Sequence, residues 1–121
     1  MNERTKQAIA HDKVIDITTT GRTSGELRRI EMWFHHIDGQ TYITGLPGKR
    51  DWYANMVAHP AFTFHLKESV QEDLPATARP ITESAEREAV LRKILSKLGR
   101  ADSELAAWVE SSPLVAVTFD A

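Results

Sequence analysis

Two glycine-bearing basic turns flank one hairpin in this chain. The first is Gly21-Arg22-Thr23-Ser24-Gly25, followed by Arg28 and Arg29. The second is Pro47-Gly48-Lys49-Arg50, which leads into Asp51-Trp52-Tyr53-Ala54-Asn55. Glycines let backbone N–H groups close around an anion. Arginine forks match phosphate or carboxylate with two parallel hydrogen bonds. A helix start beside Lys49 and Arg50 is an anion site in its own right. Asp51, read as the N-cap, would already satisfy one of those N–H groups. Taken singly, the first turn is more simply a hairpin loop with solvated charges. The second is as readily a plain loop-to-helix transition. Set at the two ends of one hairpin, they can converge on a single ligand.

The other chemistry-bearing residues add little by themselves. Trp33, Trp52 and Tyr53 can stack on a planar ring, though such aromatics more often pack in a core or an interface. The histidines are His11, His35, His36, His59 and His65. No pair of them has the spacing of a helical metal motif, so no metal site is expected. No strand–turn–helix nucleophile elbow is visible. Glu68, Glu72 and Asp73 read as a solvated acidic loop with no paired-carboxylate mechanism. The residues thus offer a binding surface without a self-evident catalytic side chain. That combination suits a protein whose bound cofactor carries hydride chemistry, leaving the chain to bind, orient and exclude water.

The whole chain bounds these readings. Its 121 residues make one domain, 1–121, with 1–13 as an N-terminal segment that can form a short helical turn. A formal net charge of −2 gives no global basic field for nucleic acid. Without cysteines there are no disulfides, thiol nucleophiles or thiolate metal sites, which fits a reducing compartment. No apolar run approaches the roughly 20 residues of a membrane span. The polar N-terminus lacks a signal-peptide apolar region, and a cytoplasmic protein is expected.

The elements that must position the two turns follow from the pattern. Val14–Thr20 is β-branched and reads as a strand. Leu27–Ile37 reads as one long strand, with Ile30, Met32 and Phe34 on one face and Arg29, Glu31, Trp33 and His35 on the other. Asp38-Gly39 is a hairpin turn, and 40–46 is the returning strand. Asp51 caps a short helix to about Ala58, which Pro60 stops. Ala61–Lys67 alternates again, with Phe62, Phe64 and Leu66 inward. Val70–Ile81 follows as a strand in which Pro75 demands an edge or a bulge. Thr82 caps a helix whose Leu91, Ile94, Leu95 and Leu98 share one face, and Gly99 ends it. Asp102 starts another short helix to about Glu110, and Leu114–Phe119 is the last strand. About six strands and two to four helices, mostly in hairpin succession, predict an α+β protein with an antiparallel sheet or barrel.

The run Thr18-Thr19-Thr20-Gly21-Arg22-Thr23-Ser24-Gly25, with Arg28 after it, resembles the opening motif of the deazaflavin-dependent nitroreductases. The run Trp52-Tyr53-Ala54-Asn55-Met56-Val57-Ala58-His59-Pro60 resembles that family's second motif. The match spans roughly Val14 to Phe119, with strands, turns and helices in the family's order. It implies a split β-barrel related to the flavin-binding split barrels, and a reduced 8-hydroxy-5-deazaflavin coenzyme (coenzyme F-420). It further implies hydride transfer to nitro compounds, quinones or other activated alkenes. By position, Arg22, Ser24 and Arg28 would hold the coenzyme's anionic tail, and Lys49 and Arg50 would add charge. Trp52 and Asn55 would shape the pocket, and Trp33 would stand as a wall beside coenzyme and substrate. Tyr53 and solvent are the candidate proton donors. The sequence departs from the family at Thr23, where a basic residue is often seen, and at Leu27, where proline is common. Other expectations for the same fold are an FMN-dependent oxidoreductase and a non-catalytic cofactor- or lipophile-binding module. Split barrels often pair, so a homodimer using Trp33 or Trp108 is also expected.

Overall fold

The computed structural model describes residues 1–120. Seven strands are laid out by apolar alternation and turn residues: β1 (Val14–Thr20), β2 (Leu27–Trp33), β3 (His35–Ile37), β4 (Gln40–Thr44), β5 (Ala61–Leu66), β6 (Glu72–Pro80) and β7 (Leu114–Phe119). Four α-helices accompany them: α1 (Glu3–His11), α2 (Asp51–Ala58), α3 (Ser84–Leu98) and α4 (Leu105–Ser111). All strand pairs are antiparallel, in the order β2-β1-β5-β6-β7-β4-β3.

β2 and β3 sit at opposite ends of that order, yet only Phe34 separates them in the chain. The sheet must therefore curl until its first and last strands meet, which makes a split β-barrel. The sequence predicts one strand over Leu27–Ile37; the structure divides it. Phe34 and His35 are neighbours and both are buried, so the strict alternation of a single strand is broken there. The Phe34 ring packs edge-on against Phe64, centroids 5.2 Å apart, and its N–H donates to the Lys13 carbonyl. Phe64 in turn meets Phe119 edge-on at 5.0 Å. Ile15, Ile17, Phe62, Leu66 and Val117 complete the barrel interior with Trp52 and Met56 of α2.

A second core lies outside the barrel, where Leu91, Ile94 and Leu95 of α3 and Trp108 of α4 cover Leu114 and Ala116 of β7. β7 is thus buried on both faces. The apolar stripe of α3 continues backward to Arg87, which is only 8% exposed. Its Nε donates to Val109 O (2.7 Å), Nη1 to Ile81 O (2.8 Å), and Nη2 to Trp108 O (3.1 Å) and Ser112 O (2.6 Å). One guanidinium thereby satisfies carbonyls at the C-terminus of α4, where a cation is also favoured by the helix dipole.

Several local expectations are corrected. The N-cap of α2 is Arg50, with no side-chain cap, and Asp51 is the first helical residue. The N-cap of α3 is Glu83, not Thr82; its carboxylate accepts from Glu86 N. Ile30, expected to point into the core, is 40% exposed, although it lies opposite buried Ile17. The core-facing side of β2 is thus open at Ile30, while Met32 packs against the barrel core. Trp108 is buried in the second core under the Arg100 guanidinium and is not available to an interface between copies. Pro75 is accommodated because β7 pairs with β6 only from Ala76 onward, leaving Pro75 without a β7 partner for its missing N–H.

Two stability predictions follow from these buried groups. Arg87→Ala removes the side-chain donor from the Val109, Ile81 and Ser112 carbonyls, Trp108 O keeping its bond from Ser112 N, and should cost about 3 kcal/mol, seen as a fall in Tm of roughly 10 °C; Arg87→Lys should not restore it, since one ammonium lacks the fork. An unchanged Tm would refute this role. His35, buried with Lys97 nearby, has its pKa pushed from the ordinary 6.5 down to about 4, desolvation being the larger cause. The unfolded chain therefore binds more protons than the native one between these values. Stability is full above about pH 6.5 and falls by about 3 kcal/mol as pH drops toward 4. Urea melts at pH 7 and pH 4.5 should show this loss in the wild type and much less of it in His35→Leu.

Candidate functional site

The turn after β1 is closed by its own backbone. Gly21 N donates to Glu26 O at 2.8 Å, and Gly25 N donates to Gly21 O at 2.9 Å. Gly25 has φ 72°, a left-handed conformation that glycine adopts without strain. A Cβ on Gly21 would stand 2.5 Å from Ser24 Oγ, so this glycine is needed for close approach. Ser24 Oγ accepts from Glu26 N at 3.1 Å, which stiffens the same loop.

One carboxamide joins this turn to α2. Asn55 Oδ1 accepts from Arg22 N (3.0 Å) and Arg22 Nη1 (3.1 Å), while Asn55 Nδ2 donates to Thr19 Oγ1 (3.3 Å). Asn55 is 3% exposed. Arg22 also pairs with Asp51 at 3.3 Å, so its charge is held at the N-terminal end of α2. The second turn is fixed from the other side. Gly48 N donates to Ser111 O at 3.0 Å, and Arg50 donates to Lys49 O (2.9 Å) and Leu46 O (3.1 Å).

Between these anchors runs an open groove of about 720 Å³. Arg22, Lys49, Arg50 and Tyr53 line one side; Arg87, Glu110 and Ser112 line the other. Four cations face two carboxylates, Asp51 and Glu110, so the groove carries an excess of positive charge. Ser112 is 4% exposed, and its Oγ has no hydrogen-bond partner among the described residues. The groove can therefore accept an anion through side-chain cations and uncapped N–H groups of α2.

Of the residues singled out in the sequence, Arg22, Lys49, Arg50 and Tyr53 come together here. Trp52 is turned into the barrel core, and Asn55 lies beneath the turn as its anchor. Ser24 is spent on the turn itself, and Arg28 follows on β2, outside the groove lining. Trp33 is 56% exposed and lies at the far end of β2: it opposes Val14, whereas the turn follows Thr20. Six residues at about 3.3 Å each put it about 20 Å from the turn. Arg87, Glu110 and Ser112 were not singled out. An arginine on the apolar stripe of α3 was a readable signal for the first. Nothing local marks the other two, because the fold of α4 brings them here.

Comparison with known proteins completes the picture. The family model for F420H(2)-dependent quinone reductase matches residues 2–118. No curated protein matches in sequence. Among solved structures, an F420 reductase shares 16% identity at TM-score 0.69, covering 96% of this chain and 93% of that one. A conserved hypothetical protein, Rv2991 from Mycobacterium tuberculosis, shares 18% at TM-score 0.71, covering 100% and 82%. An F420-H2 dependent reductase (FDR-A) shares 23% at TM-score 0.60, covering 88% and 95%. At these identities the structural likeness carries the fold, and the family model carries the family. Matched over nearly its whole length, the chain belongs to the F420H(2)-dependent quinone reductase family, a family of oxidoreductases that use the reduced deazaflavin coenzyme.

Proposed function

We propose that this oxidoreductase reduces a quinone, a nitro compound or another activated alkene, and that the anionic tail of its coenzyme lies in the groove between α2 and α4. When bound, the deazaflavin supplies the hydride. The observation that carries the reading is the convergence of Arg22, Lys49 and Arg50, from two turns far apart in sequence, on one groove. The donor set fits such a tail. The cations outnumber the carboxylates, and α2 has no side-chain cap to compete for its first N–H groups. Arg22 offsets Asp51 directly, which removes one of the two opposing charges.

In this reading Lys49 and Arg50 bind the tail, Arg22 both binds and sets the loop, and Asn55 and Ser24 position that loop from beneath. Arg28 extends the basic surface along β2. Tyr53, half-buried at the groove and packed edge-on against Trp52 at 6.1 Å, is our candidate for the proton that follows hydride. No helix among the described residues is long and apolar enough to cross a membrane. A cysteine-free chain suits the reducing cytoplasm.

The test is a fluorescence titration with the oxidised deazaflavin coenzyme and, in parallel, with FMN. The deazaflavin should bind and FMN should not. Lys49→Ala should weaken binding by about tenfold, the loss expected of one charge-assisted hydrogen bond, and raised salt should weaken the wild type in the same direction. Recovery of FMN on the purified protein, or binding indifferent to Lys49, would sink the assignment of the groove. In turnover with a quinone acceptor, Tyr53→Phe should lower kcat while leaving KM nearly unchanged. An unaltered kcat would hand the proton to solvent.

A further inference from the structure

The charges of the groove are divided between its walls. Of its four cations, Arg87 is engaged by four carbonyls, Arg50 by two, and Arg22 by Asn55 and Asp51. Lys49, on the α2 side, makes no ion pair among the described residues. Arg22 neutralises Asp51, so the opposing charge that remains is Glu110, on the α4 side.

The fold does not ask for a carboxylate at this position. Glu110 is exposed, belongs to neither core and makes no ion pair among the described residues. It sits in the last turn of α4, where the helix dipole disfavours an anion. Beyond it the surface stays acidic. Glu110 also lines a second open cleft, of about 680 Å³, between α3 and α4. Glu88, Asp102 and Glu110 face one cation there, Arg92, and Glu88 already holds that arginine at 2.7 Å. A ligand crossing from Lys49 therefore meets an unpaired carboxylate, and past it a cleft with excess negative charge.

We infer that Glu110 limits the number of anionic groups in the coenzyme's tail. A short tail anchored at Lys49 and the N-terminus of α2 is accepted, and one that reaches further across the groove is repelled. The inference rests on the tail lying in this groove, as proposed above. It makes Glu110 a specificity residue and the acidic cleft a barrier, with no part in hydride transfer. Repulsion of this kind acts through solvent, so the discrimination is modest and weakens with salt.

Fluorescence titration at low salt tests this without turnover, using two preparations of the oxidised coenzyme, one short-tailed and one lengthened by further glutamyl units. The wild type should bind the lengthened form no better than the short one. Glu110→Gln should leave the short form unchanged and tighten the lengthened form by about threefold, the scale of one like-charge interaction across several ångströms of solvent. Glu110→Lys should tighten it further, and added salt should erase both gains. The Tm of Glu110→Gln should equal or exceed that of the wild type, which separates recognition from a structural role. A wild type that prefers the lengthened form overturns the inference and spares the groove. So does a Glu110→Gln variant that keeps the wild-type ratio while binding still depends on Lys49. Binding indifferent to Lys49 overturns both.

Discussion

The site depends on a single buried carboxamide. Asn55 holds the Gly21–Gly25 turn by the backbone and side chain of Arg22, and holds β1 by Thr19. The turn closes on its own backbone, but Asn55 is what ties it to α2 and so to the second turn. The bond to Thr19 is fully buried and the two to Arg22 are partly so, which makes the carboxamide costly to leave unpaired. Arg22 gains a fixed direction from this arrangement, which spares a ligand the entropy of ordering it.

Barrel closure supplies the frame. Phe34 forces the chain to leave one sheet edge and enter the other within one residue, and Phe64 and Phe119 brace it from inside. This is also why β2 is left bare. A strand that must reach both edges of a small barrel cannot pack both of its halves equally well, and the short β3 half takes the buried position.

Much of this was legible in the residues. The strand around Ile17 announced itself by its β-branched residues and that around Phe64 by alternation, and Gly99 and Pro60 ended the helices where expected. Arg22, Lys49 and Arg50 were found because glycine-bearing basic turns have a local signature. What remained hidden depended on distant packing. The break at Phe34 arises from barrel closure, which no window of sequence contains. Asn55 read as a pocket residue because its polar side chain gives no sign of the Thr19 hydroxyl waiting beneath. Trp52 read the same way because an aromatic in a motif looks alike whether it faces a ring or a core. Glu110 and Ser112 have no local pattern at all.

The groove lies on the boundary between the two cores. Its Arg22 and Tyr53 wall is built on the barrel core through α2, and its Glu110 and Ser112 wall on the separate core of α3 and α4. The two walls share β7 and the Gly48–Ser111 hydrogen bond. Substitutions in α4 can reshape what the groove admits while the barrel that anchors the other wall keeps its packing, and the reverse holds for the barrel.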